Sequence, residues 1–162
     1  MLARMSTAST AKTLGLVIVS AQMSVMAVIA FWWIILDWGP TAPASLIGGL
    51  ALMAAGLVLV FITGRHLGAA LTPLPNPNGT GLVAHGAYSL ARHPMYMAVL
   101  TMFIGIAALS GRFTVWAATA LLLAMFLFKA RLEEKYLIAE YPGYREYGQK
   151  TGRFLPRIGR FR

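Results

Sequence analysis

Leu14 to Leu36 is a run of 23 residues with no charged side chain and with Gln22 as its only strongly polar member. About 20 such residues are what a helix needs to cross the hydrocarbon core of a bilayer. Phe31, Trp32, Trp33 and Trp38 gather at its far end, where an aromatic belt would sit. Arg4 and Lys12 precede the run and Ala42-Pro43-Ala44 faintly resembles a small-residue cleavage site. A cleaved signal peptide has a shorter apolar region, so a retained span is expected.

Three further apolar runs follow. Ser45 to Gly64 holds 20 uncharged residues, among them Gly48, Gly49, Ala51, Ala54, Ala55 and Gly56. Such small residues let membrane helices approach closely. Asp37-Trp38-Gly39-Pro40 is expected to turn the chain before it. Pro94 opens the third run, which ends near Ser110, and the fourth is Phe113 to Phe128. At 1.5 Å per residue each of these two gives roughly 24 Å of helix, short for a span. The tight Ser110-Gly111 turn implies a helical hairpin, either crossing in a tilted or thinned setting or entering and returning.

The expected fold is all-α: one integral membrane domain over 1–162, with transmembrane helices at 14–36, 45–64, 94–110 and 113–128. Between the second and third spans, residues 65–93 carry Pro73, Pro75, Pro77, Asn76, Asn78, Gly79 and Gly81, which break regular structure. A loop this long in a small domain is usually functional or disordered. Residues 129–162 form a polar C-terminal extension. It continues the fourth helix to Glu140, breaks at Pro142-Gly143 and runs on as a basic tail.

Charge orients the bundle. Only 12% of residues are charged, against about 25% in a typical soluble domain. The net charge of +9 raises nucleic-acid binding as a possibility. The basic residues, however, sit at the ends of apolar segments, so no nucleic-acid partner is expected. Of the 14 Lys and Arg residues, 13 lie in the N-terminus, the 65–93 loop and the C-terminal part, and one, Arg112, lies in the 110–112 turn. The 37–45 loop has none. With four crossings the basic regions share one face, which places both termini in the cytosol. A multi-pass protein of a prokaryotic inner membrane is expected. There is no cysteine, so disulfides, thiolate zinc sites and cysteine nucleophiles are excluded.

Residues capable of chemistry crowd into the second half. All six tyrosines lie between 88 and 147, and four of the five acids between 133 and 146. Three elements stand out. Arg92-His93 leads into Pro94-Met95-Tyr96, where a helix N-terminus can hold a carboxylate or phosphate; interface anchoring explains the same residues equally well. Lys129 and Glu133 are four apart, which most simply reads as a solvated pair on one helix face. Tyr144 and Tyr147 are three apart; aromatic faces attract cations such as a sulfonium, although interface anchoring is the commoner role. His66, His85 and His93 have no metal-ligand spacing, so no metal is expected. The last three spans lack ionisable residues, which weakens a transporter or channel reading.

The pattern Gly86-x-Tyr88-x3-Arg92-His93-Pro94-x-Tyr96, then Glu133-Glu134-x-x-Leu137-x3-Tyr141 and Tyr144-x-x-Tyr147, resembles the isoprenylcysteine carboxyl methyltransferase family, to which phospholipid methyltransferases are related. Arg153-Phe154-Leu155-Pro156 is similar to the family's ending, and the likeness covers about half the chain, Gly79 to Pro156. The resemblance implies S-adenosyl-L-methionine as methyl donor and a lipophilic small molecule or lipid as acceptor. An isoprenylcysteine-type carboxylate comes first among acceptors, with a phospholipid, thiol or amine as alternatives. It implies that Thr80, Gly81, Leu82, Val83, Tyr88, Arg92, His93, Pro94, Met95, Tyr96 and Glu133 line the cofactor. Glu133 with Lys129 or Arg131 would form the catalytic set. The family's substrate arginine corresponds to Lys129 here, and lysine is a poorer bidentate partner for a carboxylate. The Tyr141-Pro142-Gly143-Tyr144 stretch is one residue shorter than the usual pattern. A different class of reading is a non-catalytic membrane protein whose basic tail binds anionic lipid.

Overall fold

A computed structural model describes residues 2–35, 43–75 and 77–162, with side chains from Thr13 to Phe31 and from Ser45 onward. The expected turn at Asp37 to Pro40, Trp38 and the side chains of Trp32 and Trp33 lie outside what is described. Five helices follow in order: α1 (Leu2–Ile35), α2 (Pro43–Leu67), α3 (Pro94–Ser110), α4 (Phe113–Glu140) and α5 (Tyr144–Lys150). Single helical turns at Gly68–Ala70 and Gly86–Ser89 interrupt the loop between α2 and α3. The described residues contain no strand; their one isolated β-bridge pairs Ala91 with Gly152 in parallel.

Among the described residues, three stretches are long and apolar enough to cross a membrane: Thr13–Phe31, Ser45–Ala70 and Phe113–Glu140. The third apolar run, α3, is shorter, at 17 residues. Its length of about 25 Å follows from the helical rise. Its surroundings differ too. Much of α1 and α2 is exposed, including Leu16, Val17, Ile47, Leu57 and Phe61. By contrast α3 buries Ala98, Leu100, Phe103, Gly105, Ile106, Ala107, Leu109 and Ser110. α3 is therefore the central helix. Leu100, Phe103 and Ile106 share one core with Ile29 of α1 and Val115, Leu122 and Phe126 of α4.

Glycine explains how α2 reaches α3. A Cβ on Gly56 would lie 2.5 Å from the Met102 backbone nitrogen, and one on Gly105 would lie 2.7 Å from the Gly49 carbonyl oxygen. Nothing larger than hydrogen fits, so the two backbones touch, as small-residue membrane interfaces allow. Gly49, Gly56 and Thr63 are all buried and fall at seven-residue intervals, which keeps them on one helix face. The Thr63 hydroxyl donates back to the Leu59 carbonyl at 2.7 Å, so its polar group is satisfied within its own helix. On α1 the inward stripe is Gly15, Gln22 and Ile29, again spaced by seven. Gly15 packs on Pro75 of the loop and Ile29 enters the core.

α3 and α4 form the expected tight hairpin. Only Gly111 and Arg112 join them, and Gly111 adopts a left-handed φ of 60°, the helix-ending conformation that glycine enters without strain. α4 then runs without a break to Glu140. The segment after Phe128 departs from the solvated extension expected of it, because Lys129, Ala130 and Glu134 are buried.

Candidate functional site

The start of α3 is built by a chain reversal that brings the C-terminal tail alongside it. The Arg92 N–H donates to the Gly152 carbonyl at 2.8 Å, and the His93 N–H to the Arg153 carbonyl at 2.9 Å. Pro94 then opens the helix at its first turn, where its missing N–H costs nothing. Upstream, Gly86 has φ +59°, and a Cβ there would lie 2.7 Å from the His66 ring. His66 in turn accepts the Ala87 N–H at 3.3 Å, tying the loop to the end of α2.

Three rings form a wall from this point into the core. His93 and Tyr96 stack at 5.3 Å between centroids, and Tyr96 and Phe126 stack at 4.8 Å. Aromatic groups in such offset stacks gain beyond simple burial. The Tyr96 hydroxyl projects past the stack and donates to Glu133 Oε2 at 2.6 Å. Tyr96 and Glu133 thus meet in one cleft, with the 70–83 loop, α5 and the end of α2 as its other sides. Tyr96→Phe keeps the ring and removes this bond. It is expected to lower stability by about 1 kcal/mol, read as a fall in Tm of the detergent-solubilised protein.

Of the residues expected at a cofactor, Gly81, Leu82, Val83, Tyr88, Arg92, His93, Met95, Tyr96 and Glu133 line this cleft. Thr80 and Pro94 do not. The Thr80 hydroxyl instead donates to Asn78 Oδ1 at 2.6 Å within its turn. Arg131 is exposed and outside the cleft. Lys129 is 3% exposed and lies behind Tyr96, with Nζ 5.3 Å from the ring centroid and 3.4 Å from Gln22 Oε1 of α1. The solvated Lys129–Glu133 pair expected from spacing is therefore replaced by a buried ammonium and a cleft-facing carboxylate.

Arg92 touches the cleft, but every nitrogen of its guanidinium has a protein partner. Nε lies 2.8 Å and Nη2 2.7 Å from Glu134 Oε1. Nη1 donates to the carbonyls of Gly148 and Thr151, and Nη2 donates to that of Gly159. The Phe161 ring covers the group at 4.3 Å. Arg153 Nη2 donates to the other oxygen of Glu134 at 2.7 Å. Arg92 is thus a staple for the tail rather than a free donor for a ligand, and Glu134 is its counter-ion.

The tyrosines after α4 complete the wall. Tyr141, Tyr144 and Tyr147 all line the cleft, although spacing alone favoured interface anchoring for the last two. The Tyr141 hydroxyl accepts the Gly81 N–H at 3.3 Å, and the Tyr147 hydroxyl donates to the Tyr88 carbonyl. Burial pushes the Tyr147 hydroxyl up to about 12 and the Tyr144 hydroxyl higher still, so both stay protonated at neutral pH. Two buried polar atoms on this wall have no hydrogen-bond partner: the Tyr144 hydroxyl and Nε2 of His93. Their residues are 1% and 5% exposed. His93 Nε2 sits 3.5 Å from Glu134 Oε1, near enough for attraction and too far for a good bond. Unpaired buried polar atoms are rare in folded proteins, and here both are on residues that line one cleft.

Comparison with known proteins bears on this geometry. The chain is 34% identical over 126 residues to the cobalt-zinc-cadmium resistance protein CzcN of Cupriavidus metallidurans, covering 77% of this chain and 56% of that protein. It is 32% identical over 114 residues to the nickel-cobalt-cadmium resistance protein NccN of Alcaligenes xylosoxydans xylosoxydans, covering 69% and 53% respectively. The chain spans about half the length of these curated relatives. An uncharacterized protein of Schizosaccharomyces pombe is 35% identical over 86 residues, covering 49% of this chain and 25% of that one. Among the described residues, no three His, Cys, Asp or Glu side chains gather as a metal site would require. The phospholipid methyltransferase family model matches residues 44–143, from the first turn of α2 to the Pro142-Gly143 break. That match takes in more than half the chain and both helices that carry Tyr96 and Glu133, and on it the chain belongs to the phospholipid methyltransferase family.

Proposed function

We propose that this chain binds S-adenosyl-L-methionine in the cleft between the start of α3 and the distal part of α4, and transfers its methyl group to a lipophilic acceptor. The observation that carries the reading is the single cleft that the hydrogen-bonded Tyr96–Glu133 pair shares with His93, Tyr88 and Tyr144. The residues fit the donor. Glu133 offers a carboxylate to a cationic or hydroxyl group. Tyr88, Tyr96 and Tyr144 place aromatic rings beside it. When bound, S-adenosyl-L-methionine supplies a methyl carbon already activated by its sulfonium. The chain's task is therefore orientation and exclusion of water. Leu71, Pro75, Leu82 and Leu137 provide the apolar side of the cleft.

In this reading the chain crosses the bilayer four times with both termini cytosolic, so the cleft opens to the cytosol beside the lipid. Two acceptors have support. The sequence pattern from Gly86 to Tyr147 suits an isoprenylcysteine-type carboxylate, although Lys129, held behind Tyr96, does not line the cleft. The family match suits a phospholipid amine, for which Glu133 stands ready to take a proton. Incubation with isotopically labelled donor and mass spectrometry of the extracted lipids separates them.

The donor site is tested by calorimetry with S-adenosylhomocysteine. His93→Ala and Glu133→Ala are each expected to weaken binding about tenfold or more, the worth of one hydrogen bond involving a charged group. Unchanged binding in both variants removes the assignment.

A further inference from the structure

The last ten residues are neither a loose tail nor part of the cleft's lining. Arg153 bonds Glu134, the Phe154 ring stands edge-on to His93 and Tyr96 at 6.0 and 6.3 Å, and the Phe161 N–H donates to the Gly148 carbonyl at 2.9 Å. Between these inner anchors the chain makes a closed turn. The Arg153 N–H donates to the Ile158 carbonyl at 2.7 Å, and the Ile158 N–H to the Leu155 carbonyl at 3.2 Å. Arg157 at its tip has φ +66°, a left-handed conformation uncommon outside glycine. The result is an ordered knuckle that holds large apolar side chains outward: Leu155 is 46% and Ile158 64% exposed. Arg157, Arg160 and Arg162 are exposed around them.

The height of this knuckle is fixed. Arg92 and His93 pair with Gly152 and Arg153, so the turn begins level with the first residue of α3. In the four-span reading proposed above, that is where the apolar helix leaves the polar loop, at the boundary between membrane and water. We propose that the turn of residues 153–162 is a membrane-surface foot: Leu155 and Ile158 enter the interfacial layer, and Arg157, Arg160 and Arg162 bind anionic lipid headgroups. Apolar residues framed by arginines at this depth fit an anionic bilayer, with each cation adding attraction at short range. The occupant is the bilayer in which the protein sits, and the proposal is independent of which methyl acceptor the cleft takes.

The chain has no cysteine, so a single spin label at Ile158→Cys reports the knuckle alone. The full chain is placed in nanodiscs of phosphatidylcholine, with or without phosphatidylglycerol. Collision with oxygen marks lipid and collision with a nickel chelate marks water. In the phosphatidylglycerol discs the label is expected to be shielded from nickel and open to oxygen. Arg157→Glu with Arg160→Glu should reverse this, since the ratio of docked to undocked turns falls about fivefold for each arginine lost. A label open to nickel in every disc overturns the proposal. So does equal depth with and without phosphatidylglycerol, or shielding already complete in detergent. S-adenosylhomocysteine binding by the labelled variants confirms the fold and plays no part in the readout.

Discussion

Glu134→Ala is expected to destabilise the protein by about 3–5 kcal/mol, the usual cost of removing one partner from a buried ion pair. The neighbouring Glu133→Ala should stay within about 1 kcal/mol, because it removes a group that faces an open cleft. The contrast follows from position. Glu134 is buried between two guanidiniums, and the Arg92 side chain has no exposed surface. Without Glu134 the Arg92 charge stays buried among carbonyls and has lost its ion-pair partner, and the tail loses its clamp. Glu133 keeps 22% of its side chain exposed, and its bond to Tyr96 is replaceable by water. Thermal unfolding in detergent micelles reads the difference. Equal shifts for the two variants would show that the clamp holds nothing.

Gly105→Val should cost about 3 kcal/mol, at the upper end for overpacking a well-filled interior. The new Cβ would meet the Gly49 carbonyl oxygen and the Met53 nitrogen, both at 2.7 Å. These are backbone atoms and have no rotamer to move into. Either α2 withdraws from α3 or the helices bend, and in both cases the end of α2 leaves the cleft. Loss of S-adenosylhomocysteine binding is therefore expected along with the lower Tm. Gly48→Val is the matched control, since nothing lies within 4 Å of a Cβ there. It should leave both measurements within error.

Apolar runs free of charge and long enough to span announced the helices, because a helix satisfies its whole backbone in lipid within one segment. The loop was legible from its prolines, and the hairpin from Ser110-Gly111. The ends were less so: α1 begins at Leu2 and α4 continues to Glu140, since a helix does not stop where its apolar face does. Within the site, Tyr96 and Glu133 were readable from the family-like pattern. What separates Glu133 from Glu134 was not. Adjacent residues on a helix point about 100° apart, so their roles depend on how α4 is rotated within the bundle. The clamp that Arg92 makes on the tail was not legible for a related reason. Besides Glu134, 42 positions on, its partners lie 56 to 67 positions further along, and they are backbone carbonyls, which carry no side-chain signal. Tyr144 and Tyr147 were noticed as a pair, but only the reversal at Pro142-Gly143 turns them toward the cleft.

That reversal has a consequence for biogenesis. The wall of the cleft at Arg92 and His93 is held by carbonyls at Gly148, Thr151, Gly152, Arg153 and Gly159. These groups leave the ribosome after every one of the apolar helices α1 to α4. A nascent chain can insert all its apolar helices and still lack a formed site, because the strand entering α3 stays unclamped until translation has passed Gly159. Assembly of the lipid-embedded half and onset of ligand binding are thereby separated in time, with the tail as the closing step.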